Sequence, residues 1–369
     1  MGVDTLSIEL GFRSIAVTAR RGGETVTLVR ETGLPGVNSI NLNALQALAR
    51  DASQGLQAHD LGAAVQAAEA TLHYPRMATC VAVGLGCGAF AFLNGSGLAE
   101  MLAVALGGGT GQLLRTALVR KHLNPYGIFA ICGLAAAAAY VLLYALFDLV
   151  HPHPELRFAT GIVSTVLFLV PGFPMITAAL DFLQFETQIA MSRLVHVLIL
   201  LLMAALGMSV VIVLADVPIA IAPPPRMEFA LLLGARILAS FVGAFGFAIL
   251  FNGSLRNALC VGVLAILGNG IRLALRDLGL SLPLCTFLGA LVIGLFASLM
   301  RRWVDESRIS LTVAAAVMMV PGVYTFQTLV YLNHGDILAG LRSGVLAGFV
   351  VGAMALGLAL ARFVGEPRS

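Results

Sequence analysis

Two long apolar segments of this chain are interrupted by the same three residues. Val170-Pro171-Gly172 falls inside the apolar run that opens at Phe158, and Val320-Pro321-Gly322 falls inside residues 309–331. Proline removes a backbone donor and clashes with the preceding helical turn, and glycine adds freedom where a helix wants none. A bilayer has no water to satisfy the freed carbonyls, so broken backbone there must be buried in protein or line a wet cavity. The breaks lie 150 residues apart (321 − 171), in corresponding places of two halves. Paired broken helices of this kind point to a transporter's substrate site.

The surrounding composition fits a membrane protein. The chain is 59% hydrophobic and only 11% charged, whereas soluble domains run at about 25% charged. Its net charge of +3 carries no nucleic-acid signal. Five cysteines (Cys80, Cys87, Cys132, Cys260, Cys285) all fall in apolar segments without CxxC or CxxH spacing. They are expected to be small packing residues rather than disulfides or metal ligands. No basic stretch followed by an apolar run opens the chain, so no signal peptide is expected.

Residues 1–75 are expected to form a small α+β cytosolic domain. Residues 13–21 and 24–30 alternate apolar and polar around Gly22-Gly23, which predicts a hairpin. Leu34-Pro35-Gly36-Val37-Asn38 is the connecting turn. Residues 41–52 and 61–73 then predict two short amphipathic helices, the second capped by Asp60 and stopped by Pro75.

At about 20 residues per crossing, the rest predicts about ten transmembrane helices, near 77–93, 98–118, 126–147, 156–182, 194–214, 227–250, 255–275, 282–300, 310–331 and 342–363. The second is glycine-rich at Gly107–Gly111. Arg76, Arg120, Lys121, Arg301, Arg302, Arg308, Arg362 and Arg368 share one side, which the basic-loop bias makes cytoplasmic with both termini. Arg272 and Arg276 oppose that assignment, partly offset by Asp277.

The halves resemble each other. Gly111-Gln112-Leu113-Leu114-Arg115 matches Gly268-Asn269-Gly270-Ile271-Arg272, and Leu93-Asn94-Gly95 matches Phe251-Asn252-Gly253. Five crossings per half is odd, so the second copy is expected upside down. The expectation is a first module at 76–225 and a second at 226–369, forming a 5+5 inverted repeat suited to alternating access.

Leu169-Val170-Pro171-Gly172-Phe173-Pro174, followed by Asp181 and Arg193, resembles the signature of the threonine/serine exporter family. Pro35-Gly36-Val37-Asn38 resembles that family's cytosolic region, and the Val320-Pro321-Gly322 span its second membrane module. The family's usual amphipathic helix ahead of the hairpin has no counterpart here. The resemblance implies a bacterial inner-membrane exporter of threonine or serine, coupled to protons. A two-component form is associated with succinate export, which makes a dicarboxylate the alternative substrate. Neither a cofactor nor nucleic acid is implied, and the oligomeric state, a homo-oligomer included, stays open.

Candidate residues follow. After Pro171 and Pro321 a new half-helix begins, with free N–H groups expected on Gly172 and Phe173, or Gly322 and Val323. Such an end carries roughly half a positive charge and suits a carboxylate, although simple proline kinks are common in membrane helices. Arg236 sits about ten residues into its span, roughly 15 Å by helical rise, with no acid nearby on that helix. It is either an anion ligand or a side chain snorkelling out beside Glu228. Asp181 and Arg193 flank a cytoplasmic turn as a gate pair with Asp181 as proton carrier, or as an edge ion pair of little worth. Arg115 and Arg272 join them as repeat-matched gating candidates. Asn94, Gln112, Asn252 and Asn269 occupy matched positions and either bind substrate or bond between helices. His151 and His153 lack a third ligand and are expected to be structural. Gly84 and Gly88, and Gly340, Gly344, Gly348 and Gly352, are expected packing seams.

An enzyme is disfavoured, since HExxH, GxSxG and an acidic pair within the spans are all missing. No Walker A motif supplies ATP. A passive channel would more often present rings of pore-lining residues.

Overall fold

The computed structural model describes residues 3–33, 36–53, 58–69, 73–150, 158–215 and 227–365. Leu34, Pro35, His151, His153, Arg368 and most of the 215–225 loop lie outside the described residues.

Three strands open the chain. β1 (Thr5–Leu10), β2 (Ser14–Arg21) and β3 (Glu24–Glu31) form an antiparallel meander in that order. Gly22 and Gly23 turn the β2–β3 hairpin with φ of 56° and 92°, the left-handed pair that matches strand twist. The sequence predicts only that hairpin. β1 adds a third strand, pairing Leu10 with Ile15, and a two-stranded ribbon alone is marginal in water. Two helices follow, α1 (Ser39–Ser53) and α2 (Ala58–Glu69). Asp60 sits inside the first turn of α2, where a carboxylate still faces free amides, rather than ahead of it as a cap.

The remainder is helical. The first half holds α3 (Arg76–Leu93), α4 (Leu98–Val119), α5 (Pro125–Val150), α6 (Phe158–Thr165), α7 (Gly172–Leu183) and α8 (Thr187–Leu214). The second holds α9 (Phe229–Leu250), α10 (Leu255–Asp277), α11 (Leu282–Met300), α12 (Arg308–Ala316), α13 (Gly322–Asn333) and α14 (Ile337–Gly365). Among the described residues eight helices are long and apolar enough to cross a membrane, or nine if α12 and α13, bent by 48°, count as one. α6 and α7 occupy the corresponding place in the first half, and each pair is joined through one 3-10 turn. The glycine-rich stretch does not interrupt α4. Its glycines let neighbours close in: a Cβ at Gly107 would lie 3.1 Å from the Ala136 carbonyl oxygen, and one at Gly108 3.1 Å from the Cys87 sulfur.

Packing in one half recurs in the other. α3 packs on α4, α4 on α5, α5 on α8 and α7 on α8, just as α9 packs on α10, α10 on α11, α11 on α14 and α13 on α14. Across the halves the contacts are reciprocal, α7 reaching α14 and α13 reaching α8. The leading helices α3 and α9 lie directly against each other and run antiparallel. A Cβ at Gly246 would meet the Ala82 carbonyl at 2.3 Å, one at Gly86 would meet that of Gly243 at 3.5 Å, and Tyr74 donates to the Gly253 carbonyl at 2.9 Å.

Glycine seams set these distances. A Cβ at Gly207 would lie 2.0 Å from the Ala130 carbonyl oxygen in the α5–α8 seam, and one at Gly357 2.5 Å from that of Phe287 in the matching α11–α14 seam. Gly84 and Gly88 pack on α4, and Gly340 and Gly344 on α13, but Gly348 and Gly352 face open space. The expected stripe on the last helix is therefore only half used within the described residues. Gly207→Ala should cost about 1–3 kcal/mol by overpacking, while Gly348→Ala, with room for its methyl, should keep or raise detergent-solubilised thermal stability, by up to about 1 kcal/mol.

Candidate substrate site

Each break is one tight turn. Pro171 (φ −77°, ψ 59°) and Pro321 (φ −77°, ψ 48°) sit at the centre of inverse γ-turns. Gly172 N donates to the Val170 carbonyl at 2.7 Å, and Gly322 N to that of Val320 at 2.8 Å. The expected free donors on Gly172 and Gly322 are thus engaged, because proline's fixed φ brings the flanking amide back onto the preceding carbonyl. Helical bonding resumes with Met175 N on the Pro171 carbonyl and Thr325 N on that of Pro321, both at 2.9 Å. The first-turn amides of Phe173, and of Val323 and Tyr324, have no acceptor within their own helices. Pro174 falls in the same first turn, where its missing N–H costs nothing.

The two breaks touch each other. A Cβ at Gly172 would lie 3.2 Å from Val320 Cγ2, and one at Gly322 would lie 2.6 Å from Leu167 Cδ1 and 3.3 Å from Val170 Cγ2. Each glycine therefore receives the residues just ahead of the other half's proline. A larger side chain at either would push the crossing apart.

A cavity of about 400 Å³ opens beside the second break. Val320, Pro321, Val323, Tyr324 and Gln327 form one wall, the α3–α4 corner at Asn94 another, and Arg236, Arg272 and Arg276 a third. Arg236 makes a two-pronged ion pair with Asp277, Nη2 to Oδ1 at 3.2 Å. The sequence finds no acid near Arg236 because the partner comes from the neighbouring helix α10. Among the described residues Arg272 meets no carboxylate. Its Nη1 donates to Asn269 Oδ1 at 3.0 Å, and Asn269 Nδ2 donates to Ser240 Oγ at 2.8 Å. Arg272 Nε is buried and meets no acceptor among the described residues. With Asp277 engaged by Arg236, the described lining residues carry excess positive charge, and a buried guanidinium donor without an acceptor among them is set to take an anion.

Only some of the sequence candidates come together there: Pro321, Val323, Arg236, Arg272 and Asn94 line the cavity. Asn94 also donates to the Phe90 carbonyl of its own helix at 2.8 Å. Asn269 supports Arg272 from behind. Gln112 lies in α4, 3.5 Å from Thr116 Oγ1, with its own Oε1 buried and unbonded. Arg115 stacks over the Phe129 ring at 5.5 Å. Asn252 is at the far end of α9, in left-handed conformation (φ 52°), donating to Asn38 Oδ1 at 3.0 Å. Pro171, Gly172, Phe173 and Pro174 are outside the cavity wall, Phe173 packing edge-on against Phe251 at 5.5 Å. Missed from sequence were Arg276, Tyr324 and Gln327 as lining residues. A four-residue step along α10 from Arg272 to Arg276, and a three-residue step along α13 from Tyr324 to Gln327, were the available signals.

Asp181 and Arg193 do meet as an ion pair across the α7–α8 turn, each side chain 23% exposed. That is too buried for a mere surface pair and too wet for full interior strength. Arg193→Ala should cost about 1–3 kcal/mol, and the exchanged pair Asp181→Arg with Arg193→Asp should recover part of it in a double-mutant cycle.

Crossed broken helices in an apolar helical bundle, with a basic cavity beside the second break, fit one class: a multi-pass membrane transporter. The chain belongs to the threonine/serine exporter family. Residues 1–215 match the family model described as "Putative threonine/serine exporter", and residues 236–364 match "Threonine/Serine exporter, ThrE". The chain is also similar to the "Probable succinate transporter subunit YjjP" of Escherichia coli (strain K12), 25% identical over 193 residues, which cover 52% of this chain and 73% of that protein. No solved structure matches the chain.

Proposed function

We propose that this protein is a secondary exporter that carries a small carboxylate-bearing metabolite out of the cytoplasm. The observation that carries the reading is the basic cavity at the Pro321 break, where Arg272 has a buried donor with no acceptor among the described residues. Threonine or serine is the substrate that the family implies. A dicarboxylate is the second reading, favoured by Arg236, Arg272 and Arg276 in the cavity wall, of which Asp277 engages Arg236, and by the relative's name. Amino-acid export would need an acceptor for the ammonium group, which the cavity's Asn94 and Gln327 amide oxygens and backbone carbonyls would have to supply.

Alternating access would come from the two halves acting as an inverted repeat of five crossings each, 76–225 and 226–369, below a cytosolic domain at 1–75. Antiparallel packing of α3 on α9 and the reciprocal contact of the breaks support that reading. Both termini would then be cytoplasmic in a bacterial inner membrane. Proton coupling would use the Asp181–Arg193 pair, since an ionisable pair at such a position is a ready relay.

Purified protein in proteoliposomes should exchange internal labelled substrate for external unlabelled substrate. Threonine, serine and succinate tested in parallel decide between the readings, and no counterflow with any of them rejects transport of this class. For topology, a cysteine introduced at Gly335 should react with an impermeant thiol reagent in intact cells, and one at Arg302 should not.

A further inference from the structure

The two ends of the bundle are finished differently. The cavity is walled by the α3–α4 corner at Asn94, the start of α9 and the last turns of α10. Its repeat counterpart, the α9–α10 corner at Phe251-Asn252-Gly253, lies some 33 Å away along α9 by helical rise, and it is covered. Ser39 N donates to the Phe251 carbonyl at 2.9 Å, and Ile40 N to that of Asn252 at 3.1 Å. The first-turn amides of α1, orphans of their own helix, thus meet the carbonyls of the corner that follows α9. Asn38 Oδ1 accepts from Asn252 Nδ2 at 3.0 Å.

One turn on, Asn43 is clasped. Its amide donates to Glu306, and its Oδ1 accepts from Ser307 N at 2.8 Å. Glu306 also accepts from Ser254 Oγ at 2.7 Å and Asn257 Nδ2 at 3.0 Å. Beneath this lid Phe251 packs on Phe173, in the first turn after the Pro171 break. One break therefore faces the open cavity, and the other lies against the covered corner through Phe173 and Phe251.

We propose that residues 38–43 form a latch that closes the cytoplasmic mouth of the transport path over the Pro171 break, with Glu306 as its catch. It must lift when that mouth opens. The chemistry suits a reversible contact, because water can serve in turn each of the hydrogen-bonding groups that Asn38, Ser39, Ile40 and Asn43 engage. This inference rests on the alternating-access reading above, so one of its tests is independent of transport.

Both tests use the full chain with its five native cysteines replaced by alanine. In the first, Asn38→Cys and Asn252→Cys are oxidised to a disulfide. Transport should fall at least tenfold and return on reduction, while a disulfide between Thr18→Cys and Thr27→Cys, within the sheet, should leave it intact. Full transport by the oxidised latch pair would overturn the proposal. In the second, Ser310→Cys lies buried behind the latch and is probed with a small thiol reagent in inside-out vesicles. Adding Asn43→Ala should speed labelling at least tenfold. An unchanged rate, in protein of unchanged helical content, would show that the segment covers nothing, whether or not the protein transports.

Discussion

Arg272→Met should give a folded, membrane-inserted protein that no longer holds its substrate. The guanidinium sits in the cavity wall with one bond to Asn269 and a buried Nε that meets no acceptor among the described residues. A charge in that state is costly to fold around, and replacing buried charge with apolar volume is often neutral or stabilising. Thermal stability of Arg272→Met should therefore stay within about 1 kcal/mol of the parent or rise. Affinity should move the other way. Truncating one partner of a desolvated charge pair costs about 2–5 kcal/mol, or roughly 30- to 5,000-fold in the dissociation constant. Arg236→Gln should lose less affinity, because Arg236 already engages Asp277, and little stability, because Asp277 is 51% exposed and water can serve it once the pair is broken. Equal affinity in Arg272→Met and parent, measured by substrate-induced thermal shift and counterflow, would take Arg272 out of the site.

Pro171→Ala and Pro321→Ala should each abolish transport without unfolding the protein. Each proline holds a γ-turn that pulls Gly172 or Gly322 N back onto the preceding carbonyl, and alanine frees that amide for helical bonding. Both prolines stand at the N-caps of the half-helices, where no intrahelical hydrogen bond depends on them, so both variants should stay folded. Straightening either helix would displace the residues lodged against the other half's glycine. Because Gly172 receives Val320 while Gly322 receives Leu167 and Val170, neither break can relax alone, and the two losses should be of similar size. Transport near the parental rate in either variant, at equal membrane abundance, would detach that break from the mechanism.

The latch and the cavity illustrate how differently two matched asparagines can end up. Asn94 and Asn252 occupy equivalent corners, and nothing in the sequence separates their roles. Asn94 borders the cavity, whereas Asn252 is held by Asn38, a residue 214 positions away. The Asp181–Arg193 pair was legible because its members flank one short turn. Arg236 was not, since its carboxylate lies on the next helix, 41 residues on. Gly348 and Gly352 show the converse error: helical spacing made a seam of four glycines, but the neighbour that fills it reaches only two.

What the sequence alone determined is what acts over a few residues or through sheer apolar length. Proline's missing N–H and locked φ set both breaks, Gly22-Gly23 set the hairpin, and sustained apolar runs set the crossing helices. Tertiary structure alone decided that the breaks cross, that one guanidinium is paired while its neighbour is left with an open donor, and that the N-terminal segment seals one end. Those outcomes depend on which helix faces come within hydrogen-bond range. Such approach is fixed by packing between segments far apart in the chain, and no local pattern encodes it.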